Sequence, residues 1–280
     1  MPFAPPPTDN EFNDGEAAPG ARGEKTMGFL DHLEELRWTL VKCAIVAVLF
    51  ATLSGIFLTD VRAFLEWPWT HALANYPDLK LQLRTDTPME VYGVMVQICV
   101  TPALVAAAPF MLFFLGQFVG PALSAKEKRV VVPGVLSAVF LFLAGSTFSF
   151  LLLVPASIKV AIEANQWMGY QMIWTVGSYY SLMTWLVVGM GAVFEFPLLV
   201  LALTYLGIVE VATFRRSRRL VIVICFVAAA VITPTPDPIT QTLVAMPLWA
   251  LFEISLLIGA HIERKKAKQD AFDWRKTYGG

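Results

Sequence analysis

Apolar residues in this chain run on without the alternation of a strand or the narrow stripe of a soluble helix. No Asp, Glu, Lys or Arg interrupts the 17 residues between Lys42 and Asp60, the 35 between Glu90 and Lys126, or the 29 between Arg129 and Lys159. The same holds for 31 residues between Glu163 and Glu195, 17 between Arg219 and Asp237, and 15 between Asp237 and Glu253. Leu, Val, Ala, Phe and Ile fill these stretches without a period of two, which favours helices over an outer-membrane barrel. Since ~20 such residues cross a bilayer, the pattern predicts an all-α integral membrane protein with six spans, at 38–59, 91–115, 130–154, 178–206, 219–232 and 239–260. The fifth and sixth are expected to be short. Residues 220–232 supply 13 residues before Thr233-Pro234, about 20 Å at ~1.5 Å per residue against a hydrocarbon layer of ~30 Å. Local thinning of the bilayer, or burial of the helix ends, would accommodate them.

The loops carry the charge. With the N-terminus, the 116–129 and 207–218 loops and the C-terminus on one side, that side holds 17 of the 21 Lys and Arg; the other holds only the four at Arg62, Lys80, Arg84 and Lys159. The positive-inside rule then places both termini in the cytoplasm. Residues 1–26 read as a disordered cytoplasmic tail without the n- and h-regions of a cleaved signal, 27–262 as the membrane domain, and 263–280 as a charged cytoplasmic tail. The outward loops, 60–90 and 155–177, hold Trp67, Trp69, Tyr76, Trp167, Tyr170 and Trp174, aromatics expected at the lipid headgroup level.

Composition agrees. Of 280 residues 56% are hydrophobic and 15% charged, against ~25% charged in soluble domains. A net charge of −1 supplies no bulk basic field for nucleic acid. Cys43, Cys99 and Cys225 are odd in number and sit in apolar runs, and His32, His71 and His261 are scattered. Neither set suits a disulfide framework or a metal site. With no nucleophile elbow, P-loop or HExxH motif, the chain reads as a non-enzyme without cofactor.

A few polar residues stand out. Asp31, Glu34 and Glu35 lie just before the first span, among apolar Phe29, Leu33, Leu36 and Leu40 at helical spacing. Glu195 falls deep within the fourth span, followed by Pro197. A carboxylate at that depth usually faces a cavity or takes a proton. Glu253 lies in the sixth span nearer its cytoplasmic end. Thr233, Gln241 and Thr242 form a polar patch at the fifth and sixth spans, suited to internal hydrogen bonding. Relay carboxylates at Glu195 and Glu253 leave a proton-coupled small-solute transporter as the alternative function.

His32-Leu33-x-Glu35-Leu36-Arg37 before a first span resembles the opening signature of the TatC family, the receptor subunit of the twin-arginine protein translocase. The similarity continues through Phe118-x-x-Pro121-Ala122-Leu123, Glu127-Lys128-Arg129, Phe194-Glu195-x-Pro197, Thr233-Pro234 with Asp237, Gln241-Thr242, and Pro247 with Leu251-Phe252-Glu253-Ile254. It covers about residues 27–262. The chain departs from the family at Gly116, where an aromatic is usual. The resemblance implies a concave six-helix bundle in the bacterial inner membrane that binds twin-arginine signal peptides of folded cargo. It also implies recruitment of single-span TatA- and TatB-type partners, self-association amid membrane lipid, and transport driven by the proton motive force. It assigns signal-peptide binding to Glu35 and Glu127 with support from Arg37, Phe118 and Arg129, places Glu195 on the concave face, and puts partner docking near Thr233, Gln241 and Thr242. Carboxylates suit that ligand, because a planar guanidinium pairs bidentately with a carboxylate.

Overall fold

The structure, a computed structural model, describes residues 29–77, 79, 81–120, 128–170, 172–233 and 237–278. Hydrocarbon offers a backbone no hydrogen-bond partners, so apolar stretches satisfy their own amides as helices. Five of them are long and apolar enough to cross a membrane: His32–Ile56, Glu90–Val119, Val131–Met168, Val176–Tyr205 and Pro238–Lys265. The first is α1 (Phe29–Ile56), followed by short α2 (Leu58–Leu65) and α3 (Trp67–Leu73). The second is α4 (Glu90–Val119), which absorbs Pro102 and Pro109 without breaking. The fifth stretch read from the charge pattern is present as α10 (Arg218–Ile232), a 15-residue helix of about 22 Å. Of the six stretches it alone falls short of a full crossing among the described residues.

Three boundaries differ from the charge pattern. The third span continues past residue 154: α5 (Lys128–Phe148) passes through a π-turn (Ser149–Leu153) into α6 (Val154–Met168). Pro155 sits in the first turn of α6 directly after the π-turn, whose wider geometry accommodates the donor that proline lacks. The fourth span is split into α7 (Val176–Val193) and α8 (Phe196–Tyr205) at Phe194-Glu195, just ahead of Pro197. The sixth helix is not short: after α9 (Val211–Arg216) and α10, α11 (Pro238–Tyr278) runs for 41 residues. Charge marks where a helix leaves hydrocarbon, but Glu, Lys, Arg, Gln and Ala are good helix formers in water. No Gly or Pro follows Gly259 until Gly279, so helix covers most of the expected charged tail. The expected disordered tail, 1–26, lies outside the described residues.

Helix α7 is the hub. Tyr179, Tyr180, Met183, Leu186 and Met190 are fully buried, and α4, α5, α6 and α10 pack around them. Between α4 and α7, Gln97 Nε2 donates to Ser181 Oγ at 3.0 Å, and the hydroxyls of Thr101 and Thr184 share a hydrogen bond. Between α5 and α7 the backbones meet at glycines. A Cβ on Gly145 would lie 2.7 Å from Phe194 Cγ and 2.8 Å from the Met190 carbonyl oxygen. Small residues permit this approach where no water-driven force pulls helices together. At Gly116 a Cβ would press instead on the Val135 side chain of α5, so a small residue suits this contact too.

The segments ahead of α4 and of α7 join into a cap. Two-residue strands β1 (Leu83–Arg84) and β2 (Trp174–Thr175) pair in parallel, Leu83 with Trp174 and Arg84 with Thr175. Trp69 is not a lipid-surface aromatic as expected: it is buried, 5.5 Å from the half-buried Trp174 ring and 5.8 Å from Tyr179. Packing α3 onto α6 shields it from both lipid and water. Trp167 and Tyr170 remain exposed. Tyr76 donates its hydroxyl to Glu163 Oε1 at 2.7 Å, and that carboxylate holds the phenol above its ordinary range.

Glu90 ties the cap to the bundle. Its Oε2 accepts from the Asp86 N–H (2.6 Å) and its Oε1 from the Gly177 N–H (2.8 Å). A Cβ at Gly177 would lie 2.6 Å from that Oε1, so glycine is needed for the carboxylate to reach the first turn of α7. Alanine at Glu90 strands both amides, and bonds to a charged group contribute about 1.5–3 kcal/mol. A melting temperature in detergent several degrees below wild type is expected, with glutamine restoring part of it; an unchanged melt would mean the staple is dispensable.

Candidate functional site

The head of α1 packs against the end of α4, and this junction places three of the residues singled out in the sequence. The His32 ring stacks on Phe118, with centroids 4.4 Å apart and planes 15° from parallel. Glu35, one turn along α1, has its Oε2 3.9 Å from His32 Nδ1. That oxygen is buried and has no hydrogen-bond partner among the described residues, a costly state for a carboxylate unless a cation completes it. The backbone is held by the Thr39 hydroxyl donating to the Glu35 carbonyl at 2.8 Å. Arg37 is exposed, its guanidinium 5.6 Å from the Trp38 ring centroid. Leu33 and Leu40 of the apolar stripe are also exposed, as befits side chains facing lipid. Glu127 and the side chain of Arg129 lie outside the described residues.

Glu195 stands apart, at the break between α7 and α8. Its carbonyl accepts from the Leu198 and Leu199 amides and so starts α8, while its carboxylate Oε1 is buried without a partner among the described residues. Beside it lies an apolar groove of about 400 Å³ between α7–α8 and α10–α11, lined by Phe196, Leu199, Ile224, Cys225, Ala228 and Leu248 among others. The arrangement matches a carboxylate that borders a cavity within the membrane layer.

Glu253 is tied instead to a cation. Arg218 at the start of α10 donates to its Oε2 at 2.8 Å, so it serves as the α10–α11 clasp. Thr233, Gln241 and Thr242 all hold internal bonds. Thr233 donates to the Ala229 carbonyl (2.8 Å), Gln241 Nε2 to the Phe226 carbonyl of α10 (3.0 Å), and Thr242 to the Pro238 carbonyl (2.6 Å). Gln241 thereby locks α11 to α10, while Thr242 keeps an exposed flank.

Three polar contacts were not singled out in the sequence: the Glu90 staple, Trp185 Nε1 donating to the Ile232 carbonyl at 3.0 Å, and Glu263 Oε1 accepting from the Val211 N–H at 2.9 Å. The first closes the cap; the others fasten the two ends of the α9–α11 unit. Their partners are backbone atoms distant in sequence, which no local motif announces. Among the described residues no group of three or more His, Cys, Asp or Glu is placed to hold a metal ion.

Comparison with known proteins places this geometry in a family. A family model for the Sec-independent protein translocase protein (TatC) matches residues 31–247. The chain is 33% identical over 244 residues to a TatC of Azotobacter chroococcum, covering 87% of this chain and 93% of that one. To a TatC of Aquifex aeolicus it is 31% identical over 242 residues, 86% and 98% of the two chains. The crystal structure of a twin arginine translocase receptor TatC in the detergent DDM aligns with a TM-score of 0.69 and 30% identity, covering 81% of this chain and 99% of that one.

Proposed function

The chain belongs to the TatC family of Sec-independent protein translocase proteins, and on that premise we propose that it is the signal-peptide receptor of a twin-arginine translocase. It is a multi-pass, non-enzymatic component of that translocation system. In the finer reading it has six spans, α10 being the fifth, and sits in a bacterial inner membrane with both termini cytoplasmic. The 17-to-4 division of Lys and Arg supports that orientation. It binds the paired arginines of a signal peptide on folded cargo, recruits TatA- and TatB-type single-span subunits near Thr233, Gln241 and Thr242, and self-associates in the working complex. The proton motive force drives transport.

The observation that carries the reading is the Glu35 carboxylate, held at the α1–α4 junction with one oxygen buried and without a hydrogen-bond partner among the described residues, beside the His32–Phe118 stack. A guanidinium completes that arrangement by donating two parallel N–H bonds and stacking on the aromatic pair. Glu127, Arg37 and Arg129 form the rest of the proposed site. Complementation tests the whole: in a strain lacking its own TatC-type subunit, this chain with matching partners is expected to restore export of a folded reporter bearing a twin-arginine signal. A strain in which the chain inserts yet export stays at background would refute the proposal, as would solute-dependent proton flux in liposomes holding this chain alone.

A further inference from the structure

Where α9, α10 and α11 meet, basic residues from two distant stretches of the chain converge. Glu263 of α11 accepts from the Val211 N–H of α9, Phe214 meets Phe252 edge-on at 6.4 Å, and Arg218 pairs with Glu253. These contacts lay α9 along α11 and bring Arg215, Arg216 and Arg219 to the side of the bundle where Arg264 and Lys265 follow Glu263. All five are exposed and without an ion-pair partner among the described residues. The neighbouring acids do not offset them: Glu253 is taken by Arg218, Glu263 caps α9, and Glu210 leaves a cationic excess.

The apolar groove beside Glu195 opens close to this corner. Ile224 is six residues beyond Arg218 on α10, and Leu248 five before Glu253 on α11, so both groove residues lie about 8–9 Å to the membrane side of the Arg218–Glu253 pair. Leu220, Ile224 and Ala228 are spaced four apart along one face of α10; the first two are exposed, and the last two line the groove. They form an apolar track from the cations to a cavity of about 400 Å³, within the ~300–1,000 Å³ of small-molecule sites. The groove therefore lies a few turns' reach from phosphate-binding chemistry, on a helix too short to span the hydrocarbon by itself.

We propose that this corner and groove together hold one anionic phospholipid. Its phosphate sits among Arg215, Arg216 and Arg219, with Arg264 and Lys265 adding positive field about 16–18 Å farther along α11 than Glu253, and one acyl chain follows Leu220 and Ile224 into the groove under Glu195. Charge complementarity selects the headgroup, since juxtamembrane clusters of Lys and Arg attract anionic lipid. The apolar track selects a chain-bearing ligand over a soluble anion. The lipid covers the one carboxylate in the groove and fills the space left beside α10, where the bilayer is mismatched. The site is independent of which leaflet it faces, and it does not require the signal-peptide reading.

The test is a lipid titration of the delipidated full chain in detergent, followed by native mass spectrometry, with phosphatidylglycerol and phosphatidylethanolamine of the same chains. One phosphatidylglycerol per chain is expected to bind at least ~10-fold tighter than phosphatidylethanolamine, because two or more unpaired guanidinium groups engage the anionic headgroup. Exchanging Arg215, Arg216 and Arg219 for alanine should abolish that preference. Ala228→Phe should lower retention by filling the groove, and Lys42→Ala on α1 should change nothing. Soluble glycerol phosphate at the same concentration should fail to compete. Equal affinity for the two lipids, a preference that survives the arginine substitutions, retention unaltered by Ala228→Phe, or displacement by glycerol phosphate would each overturn the proposal. So would binding of an acidic peptide at the corner in the absence of any lipid preference. If the triple variant fails to fold, Arg219→Gln and Ala228→Phe, each with its melting temperature recorded, decide the matter alone.

Discussion

Alanine at Glu35 or at Glu127 is expected to cut crosslinking of a twin-arginine peptide by roughly 10- to 100-fold while the chain still inserts. A hydrogen bond to a charged group is worth about 1.5–3 kcal/mol, and each 1.4 kcal/mol is a factor of ten. Glu35 already has one oxygen buried without a hydrogen bond among the described residues. A guanidinium therefore meets an acceptor whose desolvation cost is partly met in the free protein, and the loss on truncation falls on the ligand complex. Its neighbour Glu34 is exposed on another face of the same turn, so Glu34→Ala serves as the control and should leave crosslinking intact. Exchanging the peptide's two arginines for lysines should weaken it even with wild-type protein, because an ammonium cannot make the bidentate pair. If both glutamates act on one pair of arginines, the double variant will lose less than the sum of the two singles. Photo-crosslinking in inverted membrane vesicles, scaled to inserted protein, reads all of these. Unaltered crosslinking in both single variants would remove the receptor assignment.

Valine at Gly145 should be more damaging still, and for a reason unrelated to ligand. The added Cβ alone would sit 2.7 and 2.9 Å from Phe194 Cγ and Cβ and 2.8 Å from the Met190 carbonyl oxygen. The last is helix backbone, which cannot turn aside as a side chain can. Overpacking ordinarily costs about 1–3 kcal/mol, and here the β-branch forces α5 away from the most buried helix of the bundle. The chain should fail to accumulate in membranes, or should unfold in detergent well below wild type. Gly191→Val should do likewise, since its Cβ would come within 2.5 Å of Ser146 Oγ and 2.9 Å of the Phe142 ring. Gly189, on the same helix but with open space around its Cβ position, should accept alanine freely. Normal accumulation of the Gly145 variant would show that α5 and α7 do not pack as described. Phe194 and Glu195 adjoin this contact, so a milder Gly145→Ala variant should also shift the groove and lower export more than it lowers protein level.

Much of this was legible because lipid imposes a coarse rule. Uncharged stretches located each of the five membrane-length helices, and Glu195 was recognisable because a lone carboxylate inside such a stretch is expensive. Helix ends were less legible. Charge ends the apolar run at Lys159, yet α6 continues to Met168; it ends again near Glu253, yet α11 continues to Tyr278. A helix persists in water whenever its residues favour it, so the end of hydrophobicity and the end of helix are separate events. The aromatics of the loops expected to face outward misled for a different cause. Trp69 carries the same local signal as Trp167, but only the former is covered, because α3 folds back onto α6.

The amino-acid order alone thus marked the apolar stretches, the helical class and the lone acids within them, since each follows from the transfer cost of the residues in hand. Which of those acids are paired was decided by packing. Glu253 and Glu195 are both carboxylates in apolar runs, yet the approach of α10 gives one of them Arg218 at 2.8 Å and leaves the other at the edge of a groove. His32 and Phe118 lie 86 positions apart and become a stacked pair only when α1 and α4 align. Stacking and hydrogen bonds act only at contact, and Coulomb energy falls as 1/r with screening in water, so the distances that matter do not exist until the chain has folded.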